Sequence, residues 1–225
     1  MSSPKTAPQV SAPQVVVRGE SVMLVDAELA DLDVTVRVRA RDRETALERC
    51  SARQEEVAAV VAAAGDAVEV DETTGVSVHL EVRDRRAPGE PVASLHTRLT
   101  LGRLDAVGEL AVDLGRLDDV EVSGPYWRLR PDSRVVEEAR LAAIRDAVTR
   151  AGQYAAAFGA HLTALVEVSD TGLGGGGLRV AGAASSMARF QGEPHFDLVP
   201  ARQEVLAVVE VRFTMSEPDQ EVFRG

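Results

Sequence analysis

Residues 29–64 change their hydrophobic period abruptly, and this change restricts the folds available to the chain. Apolar and polar residues alternate up to Arg39, which predicts a long half-buried strand. The inward residues of that strand are Leu32, Val34, Val36 and Val38. Apolar residues then recur at steps of three and four from Leu47 onward, which predicts an amphipathic helix. A strand followed at once by a long helix requires a sheet with a helix packed on it.

This first helix has recognisable ends. Asp42 is the expected N-cap and Gly65 is the expected stop. Its predicted apolar stripe contains Leu47, Cys50, Gln54, Val57, Val61 and Ala64.

Further strands and helices follow in an order typical of an α+β fold. Apolar and polar residues alternate in 75–84 and again in 92–101, which predicts an antiparallel hairpin. The predicted inward residues are Val76, Val78, Leu80 and Val82 on the first strand, and Leu95, Leu99 and Leu101 on the second. A short helix in 104–117 and a strand in 119–130, with Gly124-Pro125 as a bulge or edge, come next.

The second long helix covers 132–159 and ends at Gly159, and two strands, 161–170 and 202–215, complete the order. Its predicted stripe consists of Val136, Ala143, Ile144, Ala147, Ala151, Tyr154, Ala155 and Phe158. We expect an antiparallel or mixed sheet with two long amphipathic helices packed on it.

Composition excludes some partners and sets the expected boundaries. A net charge of −11 disfavours nucleic acid and anionic membranes. No window has the 18 or so apolar residues of a membrane span, and residues 1–14 do not read as a secretory signal, so we expect a cytoplasmic protein. The predicted organisation is a disordered tail at 1–13, one domain at 14–216 with a flexible Gly/Ala/Ser-rich loop at 170–201, and a tail at 217–225.

The ordered elements, with short motifs, resemble the SIMPL-domain family, whose bacterial members are described as oxidative-stress defence proteins. Val17, Gly19 and Val22 match the family pattern V-x-G-x-G-x-V, with Ser21 at the second glycine. At the family's P-D-x-A the chain has Ala27, Glu28 and Ala30, and at the start of T-A-x-E-A it has Thr45, Ala46 and Glu48.

Residues 104–170 look most like the family, and the resemblance covers residues 14 to 215. It implies an α+β subunit that associates into rings or larger assemblies, with no established catalytic residues.

The run Gly172–Gly177 raises the question of phosphate binding. A Walker loop needs a following Gly-Lys-Ser/Thr, which is missing here, and a dinucleotide loop needs a βαβ unit. We interpret the run as a flexible connection that can order against a neighbouring subunit.

Four side chains are candidates for binding or chemistry. His79 and His96 lie on the outward face of the predicted hairpin, where they could approach each other as metal ligands or stay as ordinary surface histidines. Cys50 is either a redox thiol or a buried, inert cysteine, and its stripe position favours burial. Of Tyr126 and Trp127, one is expected to face the core, and the other could anchor a protein interface.

No catalytic constellation emerges from these residues, and no cofactor is predicted. The preferred hypothesis is therefore a non-enzymatic SIMPL-like protein that acts through self-assembly or a protein partner, with a possible link to stress defence. The alternative is a small-molecule or metal-binding protein, or an unrecognised enzyme, using the His79/His96 face or the Gly172–Gly177 loop.

Overall fold

The computed structural model describes residues 12–82, 89–170, 179–182 and 196–224. Residues 179–182 are described by their backbone only. The chain divides into two compact units. Unit 1 comprises Met1–Val25, Asp132–Ala181 and Glu204–Gly225; unit 2 comprises Asp26–Pro131 and Gly182–Gln203. The α+β class is confirmed, but the strands form two sheets where the sequence predicted one.

Unit 2 has a four-stranded antiparallel sheet in the order β3-β4-β2-β5. Its strands are β2 (Leu29–Arg39), β3 (Val68–Glu81), β4 (Glu90–Leu101) and β5 (Val120–Arg128), and its helices are α1 (Arg43–Ala64) and α2 (Val107–Gly115). The β3–β4 hairpin is the one that the alternating pattern predicted.

The core of unit 2 is built on β2, which supplies four side chains that are each 1% exposed, Leu32, Val34, Val36 and Val38. Helix α1 covers them with Cys50, Val57 and Val61, as its stripe predicted. The predictions for Leu47 and Gln54 are wrong: Ala46 takes the buried position and leaves Leu47, one residue further around the helix, at the surface, and Gln54 is also exposed.

Both predicted ends of α1 are confirmed. The Asp42 side chain accepts a hydrogen bond from the Thr45 N–H, which satisfies a donor in the first turn. Gly65 caps the other end at φ 58°, a left-handed value that suits glycine best.

Strand β3 faces the way its pattern predicted but is not covered. Val76 pairs with Leu95 and Val78 pairs with Ala93, so they share the core side of the sheet. Val76 and Leu80 are nevertheless 65% and 54% exposed. The reason is position: β3 is an edge strand, and α1 lies mainly over β4 and β2.

Unit 1 has a second sheet, in which β8 pairs with β1, β6 and β7. The strands are β1 (Gln14–Val25), β6 (Leu162–Ser169), β7 (Arg179–Gly182) and β8 (Gln203–Met215), and the helix is α3 (Arg134–Ala157). Thus the described residues contain three helices, the two long ones being α1 and α3.

Helix α3 packs on β1 through alanines. Its fully buried residues are Ala139, Ala143, Ala147, Ala151 and Ala155. A Cβ on Gly19 of β1 would lie 2.1 Å from the Ala143 carbonyl oxygen, so only glycine admits this close approach. The stripe prediction is correct for the alanines and wrong for Ile144, Tyr154 and Phe158, which are exposed because the small side chains alone contact the strand.

The predicted loop and tails are only partly described. Within 170–201, residues 179–182 form β7, while Leu198 and Ala201 pack against the core of unit 2. The predicted C-terminal tail contains a short 3-10 helix, Gln220–Phe223, whose Phe223 ring stacks on Phe158 at 6.1 Å. Residues 1–11 of the predicted N-terminal tail lie outside the described residues.

Candidate functional site

The sheet of unit 2 has a polar face on the side opposite α1. Its residues alternate with the core residues of the same strands, and cross-strand pairs bring opposite charges together. The Arg98 Nε lies 2.9 Å from Asp33 Oδ1, and Arg37 donates to Glu81 at 2.8 Å. The polar face is therefore a ladder of cross-strand ion pairs.

One ion pair at the end of this ladder is more enclosed than the rest. Arg128 donates to Asp31 at 2.7 Å, and the Thr100 hydroxyl donates to the other Asp31 oxygen at 2.7 Å. Both oxygens of this carboxylate are used, so it serves to tie β2, β4 and β5 together.

The two candidate histidines lie on this polar face but are well separated. His79 pairs with Val92, whereas His96 pairs with Gly75. Positions 92 and 96 are four residues apart on β4, which corresponds to about 13 Å along a strand. His96 Nδ1 shares a 3.0 Å hydrogen bond with the Thr35 hydroxyl. The expectation that the histidines could approach each other as metal ligands is therefore wrong.

Potential metal ligands do not converge elsewhere in the ranges that the structure covers. No group of three or more His, Cys, Asp or Glu side chains has suitable geometry among residues 12–82, 89–170 and 196–224. A site for small molecules on the polar face stays a hypothesis.

Cys50 lies inside unit 2. It is 7% exposed on the covered side of α1, and burial raises the pKa of its thiol. A thiolate is the reactive form of cysteine, so the environment suppresses reactivity. This is the buried placement that the apolar stripe predicted.

The aromatic pair on β5 splits between core and surface, as expected. Trp127 is 8% exposed in the core of unit 2, and Tyr126 is 51% exposed on the polar face. The Tyr126 hydroxyl and the Ser123 hydroxyl are 2.9 Å apart, across the irregularity that Gly124 and Pro125 introduce into this edge strand. The outward aromatic residue is thus Tyr126.

The run Gly172–Gly177 lies outside the described residues. Its interpretation as a connection that orders against a neighbouring subunit stays a prediction.

Unit 1 carries exposed aliphatic side chains where a helix and a strand present regular secondary structure. On α3 they are Leu141, Ile144 and Val148, spaced by three and four residues. On β6 they include Leu165 and Val168. Helix α3 therefore has two apolar stripes: the alanine stripe, which the sheet covers, and the stripe of Leu141, Ile144 and Val148, which is exposed.

The opposite face of the same sheet is also partly apolar. Val16, Val22 and Leu24 alternate along β1 with the residues that α3 covers, and all three are exposed. Both faces of unit 1 therefore offer apolar surface to other molecules.

Comparison with known families identifies the chain. Residues 15–213 match the family described as SIMPL, protein of unknown function (DUF541). This match covers most of the chain and includes parts of both units. The chain belongs to the SIMPL family. No curated protein matches it.

Membership of the SIMPL family confirms the resemblance read from the order of elements, but it brings no functional residues with it, since the family's function is unknown. Within the ranges that this SIMPL structure describes, no helix has the length and hydropathy required to span a bilayer.

Sequence reasoning missed the exposed stripe on α3 of this SIMPL protein. Leu141, Ile144 and Val148 follow the a-d-a spacing of a heptad, which was the available signal. The predicted stripe placed Ile144 with the buried alanines and left out Leu141 and Val148, so the seam was not recognised as a second stripe.

Proposed function

We propose that this SIMPL protein acts without catalysis, through self-association. The observation that supports it is aliphatic surface on regular elements of unit 1, on α3, β6 and β1. Such side chains lower their free energy by about 25 cal/mol for each Å² removed from water. Contact between copies provides that burial.

The exposed aliphatic residues of unit 2 extend this proposal. Val76 and Leu80 of β3 lie on the core side of their sheet, beyond the cover of α1. An edge strand with an uncovered apolar face is a surface for protein contact. We extend the proposal to a protein partner that binds this edge, and to a role in stress defence.

Light scattering after size exclusion, at about 5 and 200 µM protein, tests self-association. We expect a mass above the 24.0 kDa of one chain, with the larger species increasing at the higher concentration. A mass of one chain at both concentrations contradicts the proposal.

The salt dependence of the same measurement separates apolar from ionic association. Apolar burial predicts that the assembly persists in 1 M NaCl, where charges more than about 3 Å apart are screened. Dissociation in high salt would assign the contact to the ion-pair ladder of unit 2 instead.

A further inference from the structure

We propose that two copies of the chain pack through the α3–β6 surface of unit 1, with each α3 seated beside the other about a two-fold axis. The α3–β6 surface consists of Leu141, Ile144, Val148, Leu165 and Val168. This inference rests on the proposed self-association and assigns the surface that performs it.

The orientation of α3 follows from one hydrogen bond. The Glu20 N–H donates to Asp146 Oδ2 at 3.0 Å, and β1 ends the β1-β8-β6 order of its sheet. Asp146 directly precedes Ala147 of the buried stripe, so this flank of α3 overhangs the outer edge of β1. Ile144 and Val148 directly follow stripe alanines and therefore lie on the opposite flank, towards β8 and β6.

Strand β6 presents its exposed residues to the same side. Leu165 pairs with Phe213 and Val168 pairs with Val211. Phe213 and Val211 alternate with the charged Arg212 and Glu210 and are buried on the side of β8 that α3 occupies. Phe213 and Val211 are covered while Leu165 and Val168 are exposed, so the open trough runs beside α3 above β6, with the aliphatic flank of α3 as its wall and Leu165 and Val168 on its floor.

The face of β6, and not its edge, is the contact surface. The pairing of β6 with β8 shifts register twice, between Leu162 and Ala164 and between Leu165 and Glu167. Such irregularities interrupt the straight row of backbone groups that strand addition requires. Packing of side chains on the face has no such requirement.

A second α3 matches the aliphatic chemistry of the trough. The four-stranded sheet of unit 2 carries two helices, whereas that of unit 1 carries one among the described residues. In a two-fold arrangement, Leu141 of each copy packs into the trough of the other. Ile144 and Val148 then contact Ile144 and Val148 of the second copy. Antiparallel helices also align their dipoles favourably.

The size of the surface sets the strength of the contact. Five side chains between 40% and 58% exposed form a patch of roughly 300–400 Å². Stable complexes bury about 800 Å² on each partner. The contact alone therefore gives a weak dimer, which dissociates on dilution in the micromolar range.

Substitutions on opposite faces of the same sheet test the assignment by analytical ultracentrifugation of the full chain. Val148→Glu places a charge in the trough and is expected to raise the dimer Kd at least tenfold. Val22→Glu, the matched control, removes an exposed valine on the other face and is expected to change Kd less than twofold. Circular dichroism of both variants checks that they fold.

Chemical crosslinking gives a second reading that does not depend on loss of contact. In a Cys50→Ser background, Ile144→Cys with a short bismaleimide is expected to give covalent dimers, whereas Glu210→Cys on the opposite sheet face is not. An oligomeric wild type that Val148→Glu leaves intact, with no crosslinking at position 144, overturns the α3–β6 assignment alone. A wild type that stays monomeric at 200 µM overturns both proposals.

Discussion

Asp42 shows how one side chain fixes the boundary between a strand and a helix. The Thr45 N–H donates to its carboxylate at 2.8 Å, which, with the Thr45 hydroxyl and Arg41, lowers the pKa of Asp42 below its ordinary 3.8. The chain can leave β2 and start α1 within a few residues because the first turn has this partner.

The cap makes a prediction with a definite pH dependence. Because the folded-state pKa is lowered, its stabilisation is present above about pH 3.8 and is lost as the pH falls through the lower folded value. We expect Asp42→Ala to lower the Tm at pH 7, with Asp42→Ser largely restoring it. The gap between wild type and Asp42→Ala should close in acid; a gap of constant size down to pH 2 would show that the carboxylate is not the cause.

At the scale of elements, the packing of α3 on β1 depends on small residues on both sides. Gly19 lies against Ala143 and Ala147, which lets the helix approach more closely than larger side chains would allow. The same closeness brings the flanks of α3 down towards the sheet, which is what creates the trough beside β6.

Two glycine-to-alanine substitutions in unit 1 should have opposite effects on stability. Gly19→Ala places a methyl group 2.1 Å from the Ala143 oxygen and is expected to destabilise by about 1–3 kcal/mol. Gly152→Ala, in the interior of α3 with no atom within 4 Å of the new Cβ, is expected to stabilise by about 0.5–1 kcal/mol. Urea unfolding measures both; equal effects would mean that the close approach of α3 does not matter to stability.

At the scale of the whole molecule, the two units distribute polar and apolar surface differently. The open face of the unit 2 sheet is a ladder of ion pairs such as Asp33–Arg98, with its charges matched across strands. The open surfaces of unit 1 instead carry aliphatic residues such as Val148 and Val22 beside ion pairs such as Arg18–Glu20. The proposed contacts between copies are therefore assigned to the aliphatic patches of unit 1.

The proposed assembly through unit 1 would make stability depend on protein concentration. A species that binds only the folded state stabilises it by mass action, so the Tm should rise with protein concentration. We expect differential scanning fluorimetry between about 2 and 200 µM to show a rising Tm for the wild type and a nearly constant one for Val148→Glu. A Tm independent of concentration in both would contradict self-association in this range.

The sequence by itself determined the elements and the family. Alternation placed Leu32, Val34, Val36 and Val38 in the core, because a strand can bury one face only by that period. Asp42 and Gly65 marked the ends of α1 because capping is a local interaction. Cys50 and the division between Tyr126 and Trp127 followed from the same periodicities.

Tertiary structure decided which apolar residues are covered and which polar residues meet. Val76 and Leu80 follow a correct inward pattern yet stay exposed, since cover depends on how far α1 reaches across the sheet. His79 and His96 are kept apart by the β3–β4 register, which no local pattern encodes. Leu141, Ile144 and Val148 of α3 stay exposed because only the smaller alanines fit against Gly19 at this distance. The distance between two elements is set by their packing, which the sequence pattern does not show.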